Sequence, residues 1–379
     1  MIALSLCTEK HHCTFEETSM PADTSSTPPR DPRVEAAISH WGPRFVANGV
    51  PFSDFHEVAG SVTRWEDWCS AWSARGDIHN ALGEKALAEN HKLTAGAHFT
   101  RAAVCHHFGK FLFVNDMVQM KAAHDKAIAA RNKALPLIDP PGERVAIAYE
   151  GKLLFGNLRK PKGIARPPVV IMCMGLDSTK EEMDDYENRF LVRGLATLAF
   201  DGPGQGEGEY DWPLCPEYER PVKAVCDFIE ARTDIDPARM GIWGVSLGGY
   251  FAPRAAAYEK RIKACVALSG AFQRKTTFEG RPSINVEAFR VRSKSATIED
   301  AGKVSGRMSL ADCADNITCP IYIVAGTKDR LTGVDQATRL AQRVQGPCVL
   351  SIVEGGNHVV NNYWYQYRDQ TADWMAVQL

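Results

Sequence analysis

Beyond residue 139 the chain carries short, uninterrupted apolar runs at 168–173, 195–200, 240–243, 262–268, 321–325 and 348–353. Runs of this length without a polar alternation suit strands buried on both faces, as in a parallel sheet. The segments between them, at 180–193, 217–232, 250–258 and 335–344, and one more at 361–377, are amphipathic and of helical length. Strand and helix in alternation predict a mostly parallel sheet covered by helices on both faces. A hairpin is expected ahead of it, with 145–149 and 152–158 flanking Glu150-Gly151. Residues 293–313 interrupt the alternation with extra helical pattern and are expected to form a small lid.

Upstream the period changes. From residue 34 apolar residues recur three and four apart, as in Trp65, Trp68, Cys69 and Trp72 and again in Phe99, Ala102 and Ala103, which predicts helices without strands. Pro136, Pro140, Pro141 and Gly142 end that region, because proline lacks an amide donor and crowds the preceding turn. Residues 8–33 are rich in Thr, Ser, Pro, Asp and Glu and cannot bury enough surface to offset their ordering entropy. The expected organisation is a disordered tail at 1–33, a helical domain at 34–138 and an α/β domain at 139–379.

Composition narrows the partners. Forty-four Lys and Arg against 46 Asp and Glu leave a formal charge of -2, with no long basic run, so nucleic acid is not expected to bind. Eleven scattered cysteines with no Cys-x-x-Cys pair suit a reduced, cytoplasmic protein. Residues 1–7 are apolar but lack a basic leader, and no run of 18 apolar residues occurs, so neither secretion nor a membrane span is expected. Cys7, His11, His12 and Cys13 have zinc-binding side chains, but their spacing matches no common structural site and no metal is expected there.

The chemistry centres on Gly244-Val245-Ser246-Leu247-Gly248, which lies between a strand and a helix. On such a sharp turn the glycines let the backbone close and leave the Ser246 hydroxyl exposed, with the Leu247 amide aimed at the same place. A serine hydroxyl needs a base to take its proton and a carboxylate to orient that base. Asp329 and His358 follow the next suitable strands in the order acid then histidine; Asp335 is the competing acid, at a helix start. A second oxyanion donor is expected from the loop after the first buried strand, where Gly175 admits close approach and Leu176 N–H is the expected donor, with Asp177 N–H as its competitor. Ser178 and Glu181 fit a capping box opening the next helix. The glycine-rich 201–209 lacks the residues and spacing of a nucleotide cradle, and Glu207 and Glu209 read as solvated carboxylates, with contact to substrate as the alternative. His91, His98, His106, His107, Phe108, Phe111 and Phe113, like Trp65, Trp68 and Trp72, read as helical core. No substrate-binding residue is singled out, and the expected chemistry needs no cofactor.

Two loops carry a further signal: Gly175-Leu176-Asp177-Ser178-Thr179-Lys180-Glu181-Glu182 and Asp201-Gly202-Pro203-Gly204-Gln205-Gly206-Glu207. With the helical N-terminal region they resemble the 2,6-dihydroxypseudooxynicotine hydrolase group of α/β-hydrolases, whose relatives include fungal hydrolases that shorten polyketide chains. The resemblance spans roughly residues 54–379. It implies an α/β-hydrolase fold with an N-terminal all-helical cap domain, a homodimer, and a Ser246, Asp329 and His358 triad. The implied reaction hydrolyses a carbon-carbon bond beside a ketone, in a 1,3-diketone or aryl β-keto compound of aromatic or polyketide type. The same triad would serve a carboxylic ester or amide. Residues 272–289 match the group loosely, and substrate contacts are expected to differ there.

Overall fold

A computed structural model describes residues 30–379, so most of the expected tail, and the cluster of Cys7, His11, His12 and Cys13, lie outside the described residues. The first helix begins at Pro32, slightly ahead of the expected start at 34, because Asp31 caps it by accepting the Arg33 amide at 2.8 Å and proline suits the first turn. Helices α1 (Pro32–Ala47), α2 (Phe52–Ser61), α3 (Trp68–Ala88), α4 (Lys92–Lys110) and α5 (Met117–Ala134) form the helical region. Their inward faces bury Phe45, Trp65, Trp68, Trp72, Phe108 and Phe111 in one aromatic core. Phe45 and Phe108 stack with ring centroids 3.8 Å apart. Burying a side chain of this size stabilises by roughly 1.5–3 kcal/mol, which explains why these aromatics sit inside and not at a ligand surface.

The rest of the chain builds one eight-stranded sheet in the order β1-β2-β4-β3-β5-β6-β7-β8. Its elements follow in sequence as β1 (Gly142–Tyr149), β2 (Lys152–Arg159), β3 (Val169–Cys173), α6 (Asp184–Leu191), β4 (Ala196–Asp201), α7 (Gly208–Asp211), α8 (Glu219–Glu230), β5 (Met240–Val245) and α9 (Gly248–Tyr258). Then come β6 (Ile262–Leu268), α10 (Lys275–Phe278), α11 (Ser283–Arg292), α12 (Ile298–Arg307), β7 (Ile321–Gly326), α13 (Val334–Arg343), β8 (Cys348–Val353) and α14 (Arg368–Gln378). The hairpin β1–β2 turns through Glu150 and Gly151 at φ 44° and 78°, both left-handed as a tight two-residue turn requires. From β4 to β8 all pairings are parallel.

Side-chain alternation along β5 explains the two layers: Ile242 packs with α8 and α9, while Trp243 packs with α6 and α14. The chain leaves β3 for β4 on one side and returns to β5 on the other, so a crevice opens where the connections part at the strand C-terminal ends. The insertion between β6 and β7 is larger than the lid expected at 293–313: α12 lies in that range, but α11 precedes it and sends Ile284 and Ala288 into the aromatic core of the helical region. Among the described residues no helix is long and apolar enough to cross a membrane.

Candidate active site

Ser246 stands at the crevice, one residue past β5, with φ 58°. A side chain on Gly244 would overlap the Gly248 carbonyl, and one on Gly248 would overlap the Cys173 carbonyl, so both glycines are required for β5 and α9 to meet β3 this closely. His358 Nε2 lies 2.7 Å from Ser246 Oγ, and its Nδ1 lies 2.8 Å from Asp329 Oδ2. The other Asp329 oxygen accepts the Leu331 and Thr332 amides at 2.8 and 2.9 Å, which fixes the carboxylate. Asp335, the competing acid, sits in the first turn of α13 and accepts from the Gln336 side chain at 2.7 Å. The structure thus brings Ser246, His358 and Asp329 into one hydrogen-bonded line.

The loop after β3 faces that line. A Cβ on Gly175 would lie 3.2 Å from the Val245 carbonyl and 3.4 Å from Ser246 Cβ, so the loop packs directly on the serine turn. Leu176 and Asp177 line the same pocket as Ser246 and His358, and Leu247 is buried behind the serine. Gln205 holds this loop: its Nε2 donates to both the Met174 and Gly175 carbonyls at 2.6 Å, while Tyr218 Oη donates to Gln205 Oε1 at 2.6 Å. Arg292 adds a second clamp, donating to the Leu176 carbonyl and, at 2.7 Å, to the Phe111 carbonyl. Nothing in the local pattern around Gln205 or Arg292 announces these roles.

Two expectations are corrected here. Ser178 and Glu181 form no capping box; a short 3-10 turn at Lys180–Glu182 follows Thr179, and α6 begins at Asp184. The reason is competition from buried charge: Ser178 Oγ accepts from Arg44 at 3.1 Å, and Glu181 binds the Lys180 ammonium at 2.6 Å. Nor are Glu207 and Glu209 solvated loop groups. Lys180 lies 2.7 Å from both Asp201 and Glu207, and Glu209 pairs with Lys110 at 3.0 Å.

The two loop motifs therefore meet in one buried ionic seam with the helical region. Arg44 reaches from α1 to Asp177 at 3.0 Å and Glu182 at 2.8 Å, and His107 reaches Glu182 from α4 at 2.7 Å. Burial works to raise the Glu182 carboxyl, but Arg44 and His107 outweigh it and hold it down to about 2. Burial likewise opposes the Lys180 charge, and Asp201, Glu181 and Glu207 outweigh it, raising the ammonium above its ordinary range.

Among the described residues, two side-chain groups have metal-ligand chemistry. In the first, His124, Glu181 and Asp201, the Lys180 ammonium already sits against both carboxylates. In the second, Asp54, His79 and Cys105, burial pushes the thiol up to about 12, so it stays protonated and is a poor ligand. The pocket over Ser246 is lined instead by residues that sequence reading left unassigned, Trp41 and Arg44 from α1 and Arg274, Arg281 and Asn285 from the insertion. The last three fall inside 272–289, the stretch that matched the resemblance loosely.

Residues 56–279 match the family described as Esterase FrsA-like, and residues 189–379 match the Prolyl oligopeptidase family. The chain is 32% identical over 350 residues to a 2,6-dihydropseudooxynicotine hydrolase of Paenarthrobacter nicotinovorans, covering 90% of this chain and 92% of that one. The crystal structure of a 2,6-dihydroxy-pseudo-oxynicotine hydrolase superposes with a TM-score of 0.82 at 30% identity, covering 89% of this chain and 95% of the other. A 20-hydroxy-prefusarin hydrolase of Gibberella moniliformis is 35% identical over 222 residues, which cover 54% of this chain and 52% of that relative.

Proposed function

The chain is an α/β-hydrolase of the Esterase FrsA-like family and a relative of 2,6-dihydropseudooxynicotine hydrolase, and on that premise we propose that it hydrolyses a carbon-carbon bond beside a ketone in a 1,3-diketone or aryl β-keto compound. The observation that carries the reading is the line from Asp329 through His358 to Ser246, with contacts of 2.8 and 2.7 Å. His358 Nε2 takes the Ser246 proton as Oγ bonds to the ketone carbon, and Asp329 steadies the imidazolium. The Leu247 and Leu176 amides receive the oxyanion. When the tetrahedral species collapses, the electron pair of the broken carbon-carbon bond moves to the leaving carbon, held as an enolate or as an electron-rich ring. His358 returns its proton to that carbon, a positioned acid contributing about 10² to 10⁴-fold. Water, deprotonated by His358, then releases the acid from Ser246. The names of the pseudooxynicotine and prefusarin relatives support an aromatic or polyketide ketone as substrate class.

The match to Esterase FrsA-like favours a second reading, hydrolysis of a carboxylic ester or amide by the same groups. The experiment that separates them incubates wild type and Ser246→Ala with aryl 1,3-diketones, acylated phenolic polyketides, simple esters and anilides, and identifies products by mass spectrometry. An acid plus a shortened ketone or arene, absent with the variant, is expected. Turnover confined to esters or anilides moves the assignment to the second reading, and unchanged turnover by Ser246→Ala removes the serine from both.

A further inference from the structure

Among the described residues, the pocket over Ser246 is lined by the guanidinium groups of Arg44, Arg274 and Arg281 and by the carboxylates of Asp177 and Glu182. Arg44 engages both carboxylates, and Glu182 is shared with His107. Arg274 is 3% exposed; burial lowers its pKa, Arg281 lowers it further, and Asp177 is the opposing charge. Arg281 donates to the Leu331 carbonyl at 2.8 Å and to the Asn285 amide oxygen at 3.5 Å, and feels Asp329 electrostatically.

Outside the pocket lies an open cleft, and Trp41, Leu331 and His358 line both. Among the described residues, the charged side chains lining that cleft are Lys328 and Arg330, with His40 beside them and no carboxylate. In a chain whose formal charge is only -2, this is a local concentration of one sign. A cleft lined by one sign focuses the field and raises the encounter rate of the opposite charge. The planar guanidinium groups of the adjoining pocket match a carboxylate in shape as well as charge.

We infer that the substrate is an anion, an aromatic 1,3-dicarbonyl compound bearing a carboxylate, which Lys328 and Arg330 steer along the cleft and Arg274 and Arg281 hold beside Ser246. The dicarbonyl part rests on the carbon-carbon hydrolase reading; the carboxylate rests on the charges alone.

The test uses 4-acetoacetylbenzoate and its uncharged isostere 4-acetoacetylbenzamide. Calorimetric binding to Ser246→Ala needs no turnover and so is independent of which bond the enzyme cleaves. The carboxylate is expected to bind about tenfold tighter than the amide at low salt, with the advantage shrinking as ionic strength rises. Arg281→Gln should abolish that advantage, the carboxylate losing about tenfold more than the amide. Lys328→Gln combined with Arg330→Gln, both at exposed positions, should lower the association rate of the carboxylate severalfold and leave that of the amide unchanged, a readout that survives if Arg281→Gln fails to fold. Equal binding of the two probes, including no binding of either, or equal losses for both in the variants, overturns the inference. Preferential carboxylate binding together with product analysis that finds only ester or amide cleavage would sink the carbon-carbon reading and leave the anion standing.

Discussion

Ser246, Asp329 and His358 each stand within five residues of a strand end, whereas the facing loop at Gly175 to Ser178 is held by Gln205, Arg292 and Arg44, from 30 to 134 residues away. On the strand side, position in the fold follows from local order in the chain. On the loop side it depends on buried charges and amides that converge from the helical region, the β4 loop and the insertion. A site can therefore have one half set by the sheet and the other set by its cover, and the second half is the one where substrate specificity has room to change.

The contrast can be broken most sharply at the acid. Asp329→Asn should lower kcat by about 10⁴-fold by leaving His358 in the wrong tautomer, while Asp335→Asn stays close to wild type; steady-state kinetics reversing that order would reassign the acid. Next in size is the seam. Lys180→Met leaves Asp201, Glu181 and Glu207 without their shared cation and should destabilise by about 3–5 kcal/mol in a denaturant titration. A loss near zero would show that packing, not charge, holds the loop side. Gln205→Leu tests positioning: kcat should fall by about 10 to 10²-fold with KM little changed, less than the loss of an oxyanion donor itself. If KM rises and kcat does not move, Gln205 acts on binding instead.

The smallest effect concerns acid. Burial pushes the His106 imidazole down to about 4 and holds His124 well below its ordinary value. The unfolded chain takes up these protons near pH 6.5, so the stability they contribute is fully present above that and is lost as the pH falls from about 6.5 toward 4. Thermal unfolding from pH 7.5 to 4.5 should show a falling Tm, and His106→Leu should flatten the fall. Equal slopes would remove His106 from the acid response.

The same division governed what could be read from residues alone. The Glu150-Gly151 hairpin and the apolar runs were legible because their signals are local, and so was the placement of Ser246, Asp329 and His358 after β5, β7 and β8. Ser178 and Glu181 misled for the complementary reason. Their spacing is a good local capping pattern, but the groups that compete for them include Arg44, far upstream and invisible to any window. Glu207 and Glu209 read as solvated because loop carboxylates need a cation to be buried, and theirs come from Lys180 and Lys110 on other segments. The cation-lined pocket was missed because Arg274 and Arg281 lie in a stretch with no motif of its own.

Ser246 at φ 58°, with Val359 at 62° and Val360 at 54° just past His358, holds side-chain-bearing residues in a backbone region that disfavours them by about 1–2 kcal/mol each. Glycine at 246 would adopt that turn without the penalty, giving a sturdier molecule that lacks the hydroxyl. Backbone stability alone therefore favours glycine at this position, and what the serine adds in exchange is a hydroxyl held at the mouth of the crevice.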